Sequence, residues 1–286
     1  MTKTLRQRFA DKEFITAPGV FDGISARIAD RLGFPALYMT GYGTVASHLG
    51  MPDAGLASYT EMVGRVETLT SVTSTPLIAD GDTGYGGLLN VQRTVRGYEK
   101  AGAAAIQLED QEFPKKCGHT PGRRVIPMAD MVGKVKVAVE SRDSADFLII
   151  ARTDARTTLG LDEALRRGEA YAEAGADIIF IESPESEAEM EKICASFDVP
   201  CLANMVEGGR TPVVSRDRLV EIGYALAIFP ATGFLAVGAA LNSVYSTLKQ
   251  EGSSVGVTAP MDNFGDFTRL MGFQEVWDFE KRHAQD

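Results

Sequence analysis

The segment from residue 111 to 124 has the composition of a reactive thiol site. It holds Cys117 and His119, one of three cysteines and one of three histidines in the chain, among four lysines and arginines. Nearby positive charge favours a thiolate, so Cys117 should lose its proton more easily than an isolated cysteine. Prolines and glycines in the segment exclude a regular helix or strand. A solvated basic loop is the competing interpretation, and the segment alone does not exclude it.

A second group of polar residues follows short apolar runs along the chain. It comprises Thr40, Asp80, Asp82, Glu109, Asp110, Arg152, Asp154, Glu182 and Asn204. If the apolar runs are parallel strands of one barrel, their carboxyl ends meet at the rim where catalytic residues of such barrels lie. The alternative for Asp154 or Asn204 taken alone is a helix N-cap. The whole set favours an active site at that rim.

Three of these residues predict a metal site. Asp80, Asp82 and Glu109 supply only oxygen ligands, which suit Mg²⁺, with Mn²⁺ as the alternative, better than Zn²⁺. Arg152 can clamp a substrate carboxylate through two hydrogen bonds. Backbone N–H groups of glycines, such as those at 41, 43, 208 and 209, can bind an anion. The predicted ligand is a small, multiply anionic substrate that chelates a divalent metal.

The elements that must position these residues alternate between strand and helix about eight times. Each strand is a short apolar run, as expected when both faces of a parallel sheet are buried. The pattern predicts an α/β fold, a single-domain (β/α)8 barrel over residues 1–286, with an N-terminal helix at 1–13 and a helical extension at 231–286. We also expect a loop at 44–59 and one helix across 262–282. A doubly wound sheet is less consistent with the chain, since no Gly-x-Gly-x-x-Gly follows the first strand.

The overall composition excludes some classes of binding partner. The 286 residues are 44% hydrophobic and 24% charged, with a net charge of −10, which argues against non-specific nucleic-acid binding. Three irregularly spaced cysteines do not form a disulfide framework, so we expect a reducing, cytoplasmic location. The N-terminus lacks the apolar region of a signal peptide. No apolar run approaches the roughly 20 residues that span a bilayer, so no membrane partner is expected.

Taken together, the motifs resemble those of the isocitrate lyase/phosphoenolpyruvate mutase superfamily from about residue 18 to 246. The most specific is KKCGH at 115–119, which is similar to the active-site loop of the carbon–carbon lyase branch. Five further motifs occur in the family's order: DGDTGYG at 80–86, EDQ at 109–111, RTD at 152–154, ESP at 182–184 and ANMVEGG at 203–209.

The resemblance implies a fold, an assembly and a set of site residues. It implies a homotetramer of (β/α)8 barrels that exchange their last helices, and Mg²⁺ near Asp80 and Asp82, with Glu109 acting through water. It also implies that Asp53 reaches the metal site and that Lys116 and His119 lie on a mobile loop that closes over the ligand. The substrate would be bound by Thr40, Gly41, Tyr42, Gly118, Arg152, Glu182 and Asn204.

Cys117 favours carbon–carbon cleavage within this superfamily, because the resemblance makes it the proton donor to the carbanion. The expected substrate is a substituted 2-hydroxydicarboxylate of the 2,3-dimethylmalate or 2-methylisocitrate type, cleaved to a 2-oxo acid such as pyruvate. The segment 205–212 is closer to that of dimethylmalate lyase-like, oxaloacetate hydrolase-like and carboxyphosphonoenolpyruvate mutase-like members than to that of methylisocitrate lyases. Oxaloacetate hydrolase activity, carboxyphosphonoenolpyruvate mutase-like activity and a non-catalytic binding barrel are the alternatives.

Two details of the site stay open in the sequence. The base that removes the substrate hydroxyl proton can be Tyr42, Glu182 or a metal-bound species. The candidates for contact with the substrate's alkyl groups are Tyr42, Phe180, Met205 and Phe229, although such residues are more often core.

Overall fold

Eight parallel strands form a single sheet in the protein, for which a computed structural model describes residues 3–118 and 122–284. The strands are β1 (Ile15–Val20), β2 (Leu37–Met39), β3 (Leu77–Asp80), β4 (Ala105–Glu109), β5 (Leu148–Thr153), β6 (Ile178–Ile181), β7 (Leu202–Asn204) and β8 (Leu226–Phe229). They are ordered β6-β5-β4-β3-β2-β1-β8-β7. A parallel bridge between Ile179 and Cys201 joins the two ends, so the sheet curls into a nearly closed barrel. The predicted fold class is confirmed.

Helices connect the strands around the outside of this barrel. They are α1 (Leu5–Ala10), α2 (Gly23–Arg31), α3 (Gly41–Leu49), α4 (Tyr59–Val72), α5 (Leu88–Lys100), α6 (Met128–Ser141), α7 (Ala155–Leu159), α8 (Leu161–Glu173), α9 (Glu187–Ala195), α10 (Arg216–Ile222), α11 (Thr232–Glu251), α12 (Phe264–Leu270) and α13 (Phe273–His283). The larger apolar core lies between the helices and the outward faces of the strands. A second apolar cluster fills the barrel interior.

Side-chain direction alternates along each strand, so every second residue enters the barrel. On β4, Ala105 belongs to the interior cluster, whereas Ile106 and Leu108 belong to the outer core. The same period places the residue at the carboxyl end of several strands inside the rim. Glu109 follows Ala105 at this spacing, and Asp80 follows Ile78 on β3.

Helix α1 lies against the opposite, amino-terminal end of the barrel. Leu5 is buried in the interior cluster, and Arg6 contacts Asp177 at 2.7 Å, just before β6. Thr4 caps the helix through a reciprocal bond pair with Gln7, which satisfies backbone donors of the first turn. The barrel is therefore covered at this end, and the polar rim at the other end is open to ligands.

The predicted helices and strands are mostly present, with two corrections. The loop expected at 44–59 is wrong in its first part, because α3 covers Gly41–Leu49. Two glycines in its first turn, poor helix formers, hid it in the sequence. The single helix expected across 262–282 is also wrong. It is two helices, α12 and α13, separated at Gly272, whose φ of 95° lies in the left-handed region.

The last three helices leave a large apolar surface exposed. None of their residues is buried. The exposed apolar side chains there include Leu235, Val237, Leu241, Tyr245, Leu248, Phe264, Phe273, Val276, Trp277 and Phe279. Within the described part of the chain, no helix is both long and apolar enough to cross a membrane.

Candidate active site

A cavity of about 240 Å³ opens at the carboxyl rim of the barrel. Ten of the predicted site residues line it: Thr40, Tyr42, Asp53, Asp80, Glu109, Lys116, Cys117, Gly118, Arg152 and Asn204. Glu182 lies directly beneath, 3.1 Å from Arg152. Gly41 and Asp82 contact lining residues, whereas His119 lies outside the described residues. The structure thus brings most of the predicted set to one place.

Arg152, on β5, is held in a buried network of carboxylates. It donates two hydrogen bonds of 2.9 Å to Asp154, and its Nη2 lies 3.1 Å from Glu182 Oε2. Asn204 donates to the same Glu182 oxygen at 3.0 Å. Burial opposes the charge of Arg152, but the carboxylates of Asp154, Glu182 and Glu109 outweigh it and raise its pKa. Arg152 is therefore a fixed cation at the cavity wall.

Lys115 is the cation at the acidic side of the cavity, and the sequence interpretation missed it. Its side chain is 4% exposed, and its Nζ lies 2.5 Å from Asp53 and 2.6 Å from Asp82. Burial lowers its pKa, but the charges of Asp82 and Asp53 outweigh burial and raise it. Lys116, for which the sequence predicts a catalytic role, is exposed and donates a hydrogen bond to the Gly122 carbonyl at 3.4 Å. Lys116 still lines the cavity.

The acidic residues next to Lys115 repel one another, and a further cation would offset this repulsion. Burial raises the pKa of Asp82 to about 6, and it raises that of Glu109 well above its usual range. Glu109 Oε1 is buried without a hydrogen-bond partner among the described residues. Like charges buried close together are costly unless a cation offsets them.

The donor set fits a divalent metal that keeps some of its waters. No group of three or more acidic, histidine or cysteine side chains in the described ranges converges closely enough to hold a metal alone. Mg²⁺ is usually bound by one or two carboxylates and several waters. Asp80, Asp82 and Glu109 are all-oxygen donors, which fits this requirement. Asp80 and Asp82 would hold the metal and Glu109 would reach it through water, with Asp53 facing Asp82 across Lys115.

The first turn of α3 approaches the same acids. A Cβ added at Gly41 would lie 2.5 Å from Asp80 Oδ2, so only glycine leaves room for this carboxylate. Thr40 caps the turn by accepting a hydrogen bond from the Gly43 backbone N–H at 3.4 Å. The positive end of the α3 dipole therefore faces Asp80 and the cavity.

Hydrogen bonds fasten the loop that carries Cys117 on both of its sides. The Gln111 side chain bonds the backbone N–H and carbonyl of Lys116 at 3.0 and 2.8 Å. The Cys117 N–H donates to the Asp53 carbonyl at 3.2 Å. On the far side, Arg123 contacts Asp154 at 2.5 Å, the same carboxylate that orients Arg152. Cys117 is half-buried and lines the cavity.

Gly118 lies directly on the Arg152–Glu182 pair, and we predict that it tolerates no side chain. A Cβ at this position would be 2.3 Å from Arg152 Nη2 and 2.8 Å from Glu182 Oε2. Gly118→Ala should therefore displace the loop or Arg152 and lower kcat/KM by about 10²-fold, the effect expected when a catalytic group moves by 1 Å. Steady-state kinetics measure this. Gly64→Ala, where a Cβ meets no atom within 4 Å, is the control and should keep wild-type kinetics.

The structure also adds residues that the sequence interpretation did not select. Tyr38 lines the cavity from β2. Five apolar residues, together called the apolar wall, also line the cavity: Val206, Ile228, Pro230, Phe234 and Leu235. Of the four candidates for alkyl contact, only Tyr42 lines the cavity, where its ring packs 5.2 Å from that of Phe234. The other three, Phe180, Met205 and Phe229, are not among its lining residues.

Residues 5–249 match the family described as phosphoenolpyruvate phosphomutase. The chain belongs to this family. Among its relatives, a 2,3-dimethylmalate lyase of Eubacterium barkeri is 50% identical over 98% of this chain and 97% of its own length. A 2-methylisocitrate lyase of Aeropyrum pernix is 42% identical over 98% of this chain and 89% of its own length. The predicted superfamily and the carbon–carbon lyase type are confirmed by this kinship.

Solved structures of the family superimpose closely on the chain. Oxaloacetate acetylhydrolase in complex with the inhibitor 3,3-difluorooxalacetate has a TM-score of 0.94 at 34% identity, covering 100% of this chain and 97% of that one. Phosphonopyruvate hydrolase in complex with oxalate and Mg²⁺ has a TM-score of 0.88 at 28% identity, covering 98% of each. A member of the family therefore binds Mg²⁺ together with a small dicarboxylate.

Proposed function

We propose that the protein cleaves a carbon–carbon bond in a substituted malate of the 2,3-dimethylmalate type. The observation that carries this proposal is the mixed lining of the cavity. It combines Arg152, Asn204 and the acids with the apolar wall. A substrate with two carboxylates, a hydroxyl group and alkyl substituents matches both kinds of lining. The 50% identity to a 2,3-dimethylmalate lyase supports this choice.

The substrate would be bound by cationic side chains and by backbone N–H donors. Arg152 offers its guanidinium to one carboxylate, because Asp154 and Glu182 fix its plane. Asn204 and the glycines at 208 and 209 also line the cavity. Alkyl groups would contact Val206, Phe234 and Leu235, where burial of each methyl group contributes about 1 kcal/mol.

The reaction is a retro-aldol cleavage. The 2-hydroxyl group passes its proton to a base, for which Tyr42 and Glu182 are the candidates, a carbonyl forms at C2, and the electron pair of the C2–C3 bond passes to C3. The carbanion at C3 is stabilised by its carboxylate, and Cys117 donates a proton to C3 as general acid. For 2,3-dimethylmalate the products are pyruvate and propionate. Lys115 and Arg152 are the buried cations that can offset the charge that develops.

Asp80, Asp82 and Glu109 are the residues that we assign to a divalent metal, with Mg²⁺ preferred and Mn²⁺ as the alternative. When bound, the metal would lower the pKa of the substrate hydroxyl and neutralise part of the carboxylate charge. Burial raises the pKa values of Asp82 and Glu109, so protons compete with the metal for these carboxylates. Because a metal ligand must be deprotonated, metal affinity should increase with pH.

Oxaloacetate hydrolysis to oxalate and acetate is the second candidate. It is favoured by the TM-score of 0.94 to an oxaloacetate acetylhydrolase. The apolar wall argues for the lyase, because oxaloacetate carries no alkyl substituent to contact it.

A substrate panel distinguishes the two activities. We expect 2,3-dimethylmalate to give the highest kcat/KM, ahead of 2-methylisocitrate, malate and oxaloacetate. Loss of the metal should abolish turnover, and added Mg²⁺ should restore it. Pyruvate release can be followed with a coupled dehydrogenase, and oxalate by chromatography. Faster turnover of oxaloacetate than of any alkylated malate would overturn the lyase assignment.

We also propose that the protein assembles as a homotetramer with its last helices exchanged between subunits. The exposed apolar residues of α11–α13 support this, since an apolar surface of this kind marks an interface. Light scattering should give four times the chain mass of 30.8 kDa. Trp277→Asp, on α13, should reduce the assembly, whereas Leu89→Asp on the exposed face of α5 should not. A monodisperse monomer would contradict this assembly.

A further inference from the structure

Gln107 is a polar side chain buried inside the barrel, one layer beneath the cavity. It lies on β4 between Ala105 and Glu109 on the inward face, and it is 0% exposed. Burying an amide is costly unless hydrogen bonds replace its water. Two side chains supply those contacts: Asp80 on the adjacent strand β3, and Tyr38 on β2, two strands away.

The contacts fix which way the Gln107 amide points. Gln107 Nε2 faces Asp80 Oδ1 at 3.5 Å, and Gln107 Oε1 lies 3.0 Å from Tyr38 Oη. A carboxylate only accepts hydrogen bonds, so the amide must turn its NH₂ group toward Asp80. The carbonyl oxygen of the amide then faces the phenol, which leaves Tyr38 as the donor in that bond.

We propose that Gln107 is a positioning residue that sets the direction of the Tyr38 hydroxyl group. With its proton directed to Gln107, the Tyr38 oxygen presents its lone pairs to the cavity that it lines. It can then accept a hydrogen bond from the hydroxyl group of the substrate and orient that group for loss of its proton. This inference rests on the proposed lyase activity, because it assigns the hydrogen bond to a 2-hydroxy acid.

The arrangement also connects the phenol to the acids assigned to the metal. Asp80 Oδ1 accepts from the Asp82 N–H at 3.0 Å as well as facing Gln107. One amide therefore aligns a cavity hydroxyl with one of those carboxylates. Since an amide is neither an acid nor a base at neutral pH, Gln107 holds the phenol without removing its proton.

A double-mutant cycle on the intact enzyme tests the inference. The variants are Gln107→Met, which removes both hydrogen bonds at similar size, Tyr38→Phe, and the double variant. We expect each single variant to lower kcat for 2,3-dimethylmalate by about 10–100-fold, with KM changed less than threefold. The double variant should be within about twofold of Tyr38→Phe, because residues that act through one another are not additive.

Two further measurements keep the outcome decisive. If Gln107→Met does not fold, Gln107→Asn keeps a polar side chain that is too short to reach Tyr38, and the same cycle applies. Tyr98→Phe is a matched control, because its phenol also bonds Asp80, through the carbonyl at 3.2 Å, but does not line the cavity. The fold-loss in kcat caused by Tyr98→Phe should multiply with that caused by Tyr38→Phe when the two are combined.

Each result has a defined meaning. Fold-changes that multiply in the Gln107/Tyr38 cycle would overturn the positioning role while leaving the lyase activity intact. A wild-type enzyme that turns over no 2-hydroxy acid in the panel would overturn both proposals. A loss that appears only in KM would assign Gln107 to ground-state binding, contrary to the inference.

Discussion

Cys117→Ala should lower kcat for the alkylated malate by about 10²–10⁴-fold, the contribution usual for a positioned general acid. The thiol lines the cavity, and the backbone of Cys117 is tied to the Asp53 carbonyl. Removing the side chain leaves these backbone contacts and the cations in place. The loss should therefore appear in kcat, with substrate binding largely retained.

The other cysteines provide matched controls for this variant. Cys194 is half-buried on α9, and Cys201 is buried just before β7, both away from the cavity lining. Cys194→Ala should keep kcat within twofold of wild type. Steady-state kinetics and circular dichroism on both variants make the comparison. Unchanged turnover in Cys117→Ala would remove the general-acid assignment.

Lys115→Met should lower the free energy of unfolding by roughly 3–5 kcal/mol, the usual effect of removing one partner from a buried ion pair. Lys115 Nζ lies between the carboxylates of Asp53 and Asp82, so its loss leaves two buried acids without their cation. Activity should fall with it, since the same lysine fixes the start of the Cys117 loop. Urea denaturation in the presence of a chelator measures the change in stability.

The neighbouring lysine is the matched control for the stability loss in Lys115→Met. Lys116 is exposed, so Lys116→Met should change stability by less than about 0.5 kcal/mol.

The pKa of Asp82 is already raised to about 6 by burial, and loss of Lys115 should raise it further. The penalty of Lys115→Met should therefore shrink as the pH falls from 7 to 5, because protonation neutralises the stranded carboxylate. A penalty that grows toward acid pH would contradict the ion-pair account.

The polar residues of the rim could be predicted because each of them ends or directly follows a short apolar run in the sequence. Each strand is a short apolar run, and the polar residue that ends it must lie at the common rim of a parallel barrel. Asp80, Glu109, Arg152 and Asn204 were all found in this way. The family resemblance added Asp53, whose loop is distant in sequence but contacts Lys115 in the structure.

The site residues that the sequence did not identify are positioned by contacts between distant segments. Which of two adjacent lysines turns inward is decided by Gln111 and by the Asp53 loop, neither of which marks Lys115 in the sequence. Tyr38 was missed because β2 is buried on both faces, so no alternation of polarity shows which residues point inward. Counting back two residues from Thr40 at the rim would have identified it.

The most direct test of the proposed activity is product analysis of one substrate in deuterated water. Wild-type enzyme with Mg²⁺ and 2,3-dimethylmalate should yield pyruvate and propionate in equal amounts, with one deuteron at C2 of propionate, observable by proton NMR. The deuteron reports the protonation of C3 that is assigned to Cys117. Absence of both products, with oxaloacetate converted to oxalate and acetate instead, would contradict the proposed lyase reaction.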